Sequence, residues 1–305
     1  MSGSKLPYIS VIITAYNRKE FLLNAIKSAV NQTLDKQYYE IIVIKNFTDY
    51  TIDEYIDKHN IKNILMDGYV GEFLHAGVSV STGKIVSFLD DDDLFSNDKL
   101  ETVFKKFNDI DNLCYYHNEH ITMDEKYQKF HSNLGKSIIF NLSSISVKKT
   151  IVNLNHLKKI NSNTDHFMYL LALESGQKII AGKEKLTYYM FHTSTSHVDT
   201  NDIELFIKHR NVNLEPDIKS FIMFDEMFIS RKAKNYIQQK ITNLEIDGYI
   251  LGENKKPRTP LNIFKQSDRP VYIVLKIYLA YLLVRVHYNF RYIIIKKLLN
   301  NNKKS

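Results

Sequence analysis

Short apolar runs rich in β-branched residues, each followed by a segment of helical period, constrain this chain more than any other feature of its sequence. Residues 8–16 ("YISVIITAY") and 39–46 ("YEIIVIKN") are apolar nearly throughout, which suits strands buried on both faces of a parallel sheet. Between them Phe21, Leu22, Ala25, Ile26 and Ala29 recur at the i, i+3, i+4 spacing of a helix. The first fifty residues therefore spell a βαβ unit. A weaker helix over 51–60, a short strand near 63–66, a helix over 71–81 and a strand over 84–90 continue the alternation. That order predicts an α/β fold: a Rossmann-like, mostly parallel sheet flanked by helices. Such sheets bind ligands beyond the carboxyl ends of their strands, and Tyr16, Asn46 and the run Asp90 to Asp93 all fall there.

Further along, residues 112–123 read as a strand, 143–160 as an element with a helix, and 164–182 as a helix ending at Gly176 followed by a strand. After about residue 198 the pattern is helical, and residues 252–270, with three of the five prolines, read as a linker. The expected organisation is 1–118 and 119–200 as the two halves of one domain, 201–252 as a helical extension and 253–305 as a basic, apolar tail. A lone cysteine, Cys114, excludes a disulfide framework or a thiolate metal site within one chain and points to a reducing, cytoplasmic compartment. The Asn-x-Ser/Thr triplets at Asn31, Asn46 and Asn141 then read as chance. The first residues lack a basic leader and read as the approach to a strand.

The chemistry concentrates in "FLDDDDLF", where an apolar strand runs into four aspartates. Crowded carboxylates raise one another's pKa, so the run needs open water or a cation between its members. Were the chain to stay extended, Asp90 and Asp92 would point one way and Asp91 the other, and the first two could share a hard divalent cation such as Mg²⁺ or Mn²⁺. The competing reading is a solvated acidic loop capping a helix that begins near Asn97.

Four blocks in order, "ISVIITAYNRKEFLLNAIKSAVNQT", "EIIVIKN", "GVSVSTGKIVSFLDDDDLF" and "TDHFMYLLALESG", resemble the family 2 glycosyltransferases, enzymes of the GT-A fold that use nucleotide-diphosphate sugars. The resemblance spans roughly residues 8–197. It implies that Tyr16 packs on the nucleobase with Asn17 and Arg18 beside it, and that Asn46 stands where an aspartate usually contacts the base. It implies donor contacts at Gly77, Asp90 and Asp91, a Mn²⁺ or Mg²⁺ ion on Asp92 with Asp90 and His192, and Asp165 as the general base. A bound cation would stabilise the departing diphosphate, and one base with one displacement would invert the anomeric carbon. Without the resemblance, Tyr16 reads equally as core, Asp165 as a first-turn acid and His192 as a hydrogen-bonded structural histidine.

Departures from the family pattern bear on the donor. The usual acidic segment after the second strand is here Lys45-Asn46-Phe47-Thr48, which removes a negative charge and adds a positive one. An expected Arg-Asn pair is Leu74-His75, and Thr164 replaces a glutamate. Uridine is the default base and guanosine the alternative. These departures also motivate a second reading, a non-catalytic nucleotide-sugar-binding or scaffold protein of the same fold.

Net charge is +7, unevenly placed: residues 253–305 hold twelve Lys and Arg against two acids, leaving residues 1–252 at −3. The stretch 270–299 is the most apolar of the chain, but basic residues interrupt it before about 20 apolar residues accumulate. Helices lying at the cytoplasmic face of a membrane, consistent with a lipid-linked glycan acceptor, are the expectation; a packed helical subdomain is the alternative. No nucleic-acid-reading motif occurs in the tail, so nucleic acid is not an expected partner.

Overall fold

Among the described residues, eight strands and six α-helices build the first part of the chain in the order β1 Ile9–Ala15, α1 Leu22–Val30, β2 Tyr39–Lys45, α2 Tyr50–Lys58, β3 Lys62–Leu65, α3 Val70–Val80, β4 Ile85–Asp90, β5 Leu94–Phe95, α4 Lys99–Asp109, β6 Leu113–Met123, β7 Ile145–Lys148, α5 Leu154–Leu157, α6 Thr164–Ser175 and β8 Lys178–Met190. The computed structural model describes residues 6–124, 126–129, 139, 141–191, 203–252, 257, 259–265 and 271–302. The chain divides into two units, Met1–Phe191 and His192–Ser305.

One sheet in the order β3-β2-β1-β4-β7-β6-β8-β5 organises the first unit. β1 lies parallel between β2 and β4, with Ala15 opposite Lys45 and Thr14 opposite Asp90, so the ends of three strands are level. Past β4 the sheet turns antiparallel through β7 and β6, and β8 returns parallel to β6. The strand order reverses about β1, the kind of position where parallel sheets open a crevice.

Alternation along the strands assigns the helices to faces. Ile9, Val11, Ile13 and Ala15 of β1 join Leu22, Ala25, Ile26 and Ala29 of α1 and residues of α2 and α4 in one core. Each such fully buried aliphatic contributes about 1.5–3 kcal/mol. The opposite face of β1 and β2 carries α3, whose Gly77 lies so near that an added Cβ would stand 2.7 Å from both Ile12 Cγ2 and Ile44 Cδ1. Tyr116 belongs to the first core, whereas Tyr115 meets Tyr169 of α6 edge-on at 5.6 Å, which places α6 against the other face. Local signals set the helix ends: Asp49 caps α2 by accepting from Thr51 and Ile52 N–H groups, and α6 closes on Gly176 at φ +67°.

In the second unit α7 (Ile203–Met227), α8 (Arg231–Leu251), α9 (Val271–Val286) and α10 (Phe290–Asn302) share one core. Ile246, Tyr249 and Ile250 of α8 pack with Val274, Tyr281 and Val284 of α9 and Ile295 of α10. The expected linker contributes too: Pro260–Phe264 forms a 3-10 turn that buries Ile263 in this core. The helical run breaks between Val286 and Phe290, so residues 271–302 form two helices. Among the described residues no helix is long and apolar enough to cross a membrane.

Candidate active site

At the level ends of β1 and β4 the chain leaves the sheet in turns that, with the turn between β3 and α3, line one cleft of about 500 Å³. Tyr16 follows β1 with its ring 57% exposed in the cleft, and Phe73 of α3 lies 6.1 Å away, centroid to centroid. The next residue, Asn17, adopts left-handed backbone (φ +56°), a conformation Asn tolerates better than most residues. Asn46 holds it there: Asn17 N–H donates to Asn46 Oδ1 at 2.8 Å, and Asn46 Nδ2 donates back to Asn17 Oδ1 at 2.9 Å. The turn aims Arg18 at the aspartate run.

That run does not stay extended. β4 ends at Asp90 and the chain turns, Asp93 N–H donating to the Asp90 carbonyl at 3.3 Å. Asp91 and Asp93 are each 1% exposed, while Asp90 and Asp92 are only partly buried. Arg18 forks onto both neighbours: Nε and one terminal nitrogen donate to Asp91, the former at 3.3 Å, and the other terminal nitrogen donates to Asp92 Oδ2 at 2.7 Å. Asp93 faces inward, accepting from Met190 N–H at 3.0 Å and Asn141 Nδ2 at 2.9 Å, and so ties the run to the end of β8.

The electrostatics follow from this crowding. Burial first, then the Asp92 and Asp91 carboxylates, push the Asp90 carboxyl up to about 7 against the pull of Arg18; Asp165 adds to the push. Burial likewise pushes Asp91 up to about 7, with Arg18 opposing and Asp92 reinforcing. Asp165 is thus a near neighbour of Asp90 although it arrives from the first turn of α6, where its Oδ1 accepts from His166 N–H at 2.8 Å. The structure brings together Tyr16, Asn17, Arg18, Asn46, Asp90, Asp91, Asp92 and Asp165.

Two expectations are corrected. Gly77 is not a cleft residue: its missing side chain lets α3 press on Ile12 and Ile44, beneath the sheet. Lys45 does not put a positive charge beside the base site: it is 1% exposed, and its ammonium bonds to the Phe47 carbonyl at 2.7 Å and pairs with Asp53 at 2.8 Å. His192 lies outside the described residues.

Several residues escaped the sequence reading. Gly68, Tyr69 and Val70 line the cleft with Phe73. Tyr69, 65% exposed, ends a "DGY" turn whose aromatic residue ahead of a helix was the available signal. Behind the aspartates, Lys99 is fully buried and donates to Asn118 Oδ1 at 2.9 Å, the Ser143 carbonyl at 2.5 Å and Thr187 Oγ1 at 3.2 Å, with its ammonium 4.3 Å from the Phe95 ring centroid. Ser143 in turn accepts from Asp90 N–H at 3.0 Å.

Among the described residues no three His, Cys, Asp or Glu side chains form a ready metal cage. Cations of the Mg²⁺ type need none: they bind one or two carboxylates and complete their shell with water and phosphate oxygens. Asp90 and Asp92, all-oxygen ligands in a cluster whose acidity is disturbed by mutual repulsion, fit that mode.

The family described as Glycosyl transferase family 2 matches residues 10–169. An uncharacterized glycosyltransferase of Rickettsia bellii (strain RML369-C) is 33% identical over 123 residues, 39% of this chain and 17% of that protein. The poly(ribitol-phosphate) beta-N-acetylglucosaminyltransferase TarP of Staphylococcus aureus (strain N315) is 23% identical over 228 residues, 72% of this chain and 63% of TarP. The match to the Rickettsia protein thus spans about a sixth of that relative's length. Among solved structures, S. aureus TarS 1-349 superposes with a TM-score of 0.57 at 15% identity, covering 97% of this chain and 91% of that one. The same TarS fragment in complex with UDP-GlcNAc gives 0.57 at 16% identity, covering 80% and 76%.

Proposed function

Because the chain belongs to the family 2 glycosyltransferases, we propose that it moves a sugar from a nucleotide-diphosphate donor to a hydroxyl group of a glycan acceptor. The observation that carries this reading is the convergence, at the end of β4, of the aspartate run with an aromatic cleft and with the charge of Asp165. Tyr16 offers a ring face for a base, and Arg18 a cation for phosphate. A uridine donor is supported by the UDP-GlcNAc complex of TarS, and a polyol-phosphate acceptor by the names of relatives such as TarP.

In this mechanism the Asp165 carboxylate takes the proton of the acceptor hydroxyl as its oxygen bonds to the anomeric carbon and the carbon–oxygen bond to the diphosphate breaks. A single displacement inverts that carbon. Asp92 with Asp90 would hold Mn²⁺ or Mg²⁺, which when bound supplies charge neutralisation to the departing diphosphate. The Ser143 hydroxyl on the Asp90 backbone, and Asn141 with Met190 on Asp93, keep the turn in shape while charge shifts.

We infer a peripheral membrane contact through the second unit from its surface. Tyr272, Leu275, Leu279, Leu283 and Val286 follow helical spacing along α9 and are each 45% exposed or more. Residues 271–302 contain Lys276, Arg285, Arg291, Lys296 and Lys297 and no acid. An apolar stripe flanked by cations suits an anionic lipid surface. Flotation of the full chain with vesicles containing phosphatidylglycerol, and its absence with phosphatidylcholine alone, is the expected result; no flotation with either removes this part.

The transfer reading is tested by incubating the full chain with UDP- and GDP-sugars with and without Mn²⁺ and following nucleoside diphosphate release. Asp165→Asn should retain donor affinity while turnover falls about 100-fold or more. Turnover near that of the wild type would reject Asp165 as the base, and no binding of any donor would reject the reading.

A further inference from the structure

Arg18 touches two carboxylates unequally. Its Nε and one terminal nitrogen grip Asp91, which is 1% exposed and fixed inside the turn. The remaining terminal nitrogen alone reaches Asp92, at 2.7 Å from Oδ2, and the Asp92 side chain is 16% exposed. Arg18 is itself 41% exposed along its side chain and lines the cleft. One edge of the guanidinium is therefore held inside the turn, and the other is covered by the more exposed of the two carboxylates.

We propose that Asp92 is exchanged between Arg18 and a divalent cation, and that its departure uncovers the outer nitrogen of Arg18 as a ligand for the donor's diphosphate. The proposal rests on the glycosyltransferase reading and deepens it. A guanidinium and a dication placed on the same carboxylate repel each other, so the arriving ion draws Asp92 off Arg18. Asp91 holds the guanidinium plane where it is. The freed N–H groups, still positively charged and already in the cleft, then face the phosphate oxygens that complete the ion's shell. Cation and nucleotide would bind cooperatively because each removes an obstacle to the other. Arg18 is a positioning residue for the cation, through Asp92, and a direct ligand for the nucleotide.

Removing Asp92 should uncover Arg18 permanently. The experiment titrates the full chain with UDP, and with GDP in parallel, by calorimetry in EDTA and in Mn²⁺. In EDTA, Asp92→Ala should bind the nucleotide about tenfold more tightly than the wild type, the size of one charge-assisted hydrogen bond gained. Loss of a repelling carboxylate alone would give a similar gain, so the gain is measured again on an Arg18→Met background and on an Arg18→Gln background, either of which suffices if the other does not fold. Disappearance of the gain when Arg18 is absent supports the exchange. A gain that persists without Arg18, or no gain at all in Asp92→Ala, overturns it while leaving the transfer reading intact. A wild type that binds neither nucleotide in Mn²⁺ removes the transfer reading and this inference together.

Discussion

Asn17 and Asn46, on the turns after adjacent parallel strands, hold each other by two reciprocal hydrogen bonds of 2.8 and 2.9 Å. The pair fixes Asn17 at φ +56°, and that one left-handed residue separates Tyr16, facing the aromatic side of the cleft, from Arg18, facing the aspartates. Asn46 therefore has an architectural use that an acidic residue would serve almost as well, since a carboxylate also accepts from Asn17 N–H. Asn46→Asp should leave nucleotide affinity within about threefold of the wild type, whereas Asn46→Ala should weaken it about tenfold and cost about 1 kcal/mol of stability. Calorimetric titration with UDP beside urea unfolding checks both; an unaffected Asn46→Ala would show the pair to be ornamental.

Lys99 supports the aspartate turn from behind. Burial pushes its ammonium well down from the usual lysine range, with Asp93 opposing, and three neutral acceptors surround it. Replacing it with methionine keeps the volume but takes the donor from Asn118 Oδ1, and it leaves Thr187 Oγ1 and the Ser143 carbonyl with only the bonds that Asn118 Nδ2 donates to Thr187 and Thr187 to Ser143. Lys99→Met should cost about 2–4 kcal/mol in urea unfolding and also weaken Mn²⁺ binding, because Ser143 carries the Asp90 N–H. A variant of wild-type stability would show that the ammonium contributes nothing net.

These two cases mark where sequence reasoning works and where it stops. β1, β2 and β4 were legible because they are buried on both faces, which forces unbroken β-branched runs; the cleft at their carboxyl ends followed from topology. Composition could not reveal which way a side chain faces once the strand ends. Lys45 and Asn46 are adjacent, yet one is sealed under Phe47 with Asp53 and the other holds Asn17. A glycine that admits a ligand and one that admits a helix look alike in sequence, and Gly77 is the second kind. Lys99 was hidden because its partners Asn118, Ser143 and Thr187 are 19 to 88 residues away. In the tail, alternation of cations and aliphatics gave no sign of the break before Phe290 or of the burial of Ile263.

Glu40 joins the first three parallel strands away from the cleft. Burial would push its carboxyl up, but hydrogen bonds from Lys62, Ser10 and Thr82 outweigh this and hold it at about 2. The sign is that of a depressed carboxylate: its stabilisation is complete above the unfolded pKa near ~4.3 and is lost as pH falls toward 2. With the side chain 14% exposed, the contribution is on the order of 2–3 kcal/mol. Glu40→Gln should remove it at pH 7 and flatten the acid limb of stability between about pH 4.5 and 2. Urea unfolding across that range, compared with the wild type, checks this; parallel acid limbs in the two proteins would contradict it.

Asp90 and Asp91 give the opposite sign. Both carboxyls are pushed up to about 7, so the folded chain holds these protons more tightly than the unfolded chain, whose aspartates ionise near ~3.9. The stability this brings is present below the unfolded value and is lost as pH rises through about 7. Buried His117 and half-buried His120, held down at about 3 and about 4 chiefly by loss of water, work the other way, but only below ~6.5, where unfolded histidines take up protons. Asp93, pushed up chiefly by burial, adds to the same sign, and buried Lys99, pushed down, opposes it; between pH 6.5 and 8 the carboxyl cluster should set the slope, titrating as a unit because its members repel. In EDTA the melting temperature should fall over that interval. Mn²⁺ competes with the same protons, so the melting temperature it adds should grow from pH 6.5 to 8 and shrink in Asp90→Asn along with the slope. Thermal melts of both proteins, with EDTA and with Mn²⁺ at each pH, decide the matter: a Mn²⁺ increment that does not vary with pH would mean that the ion binds somewhere other than this carboxylate cluster.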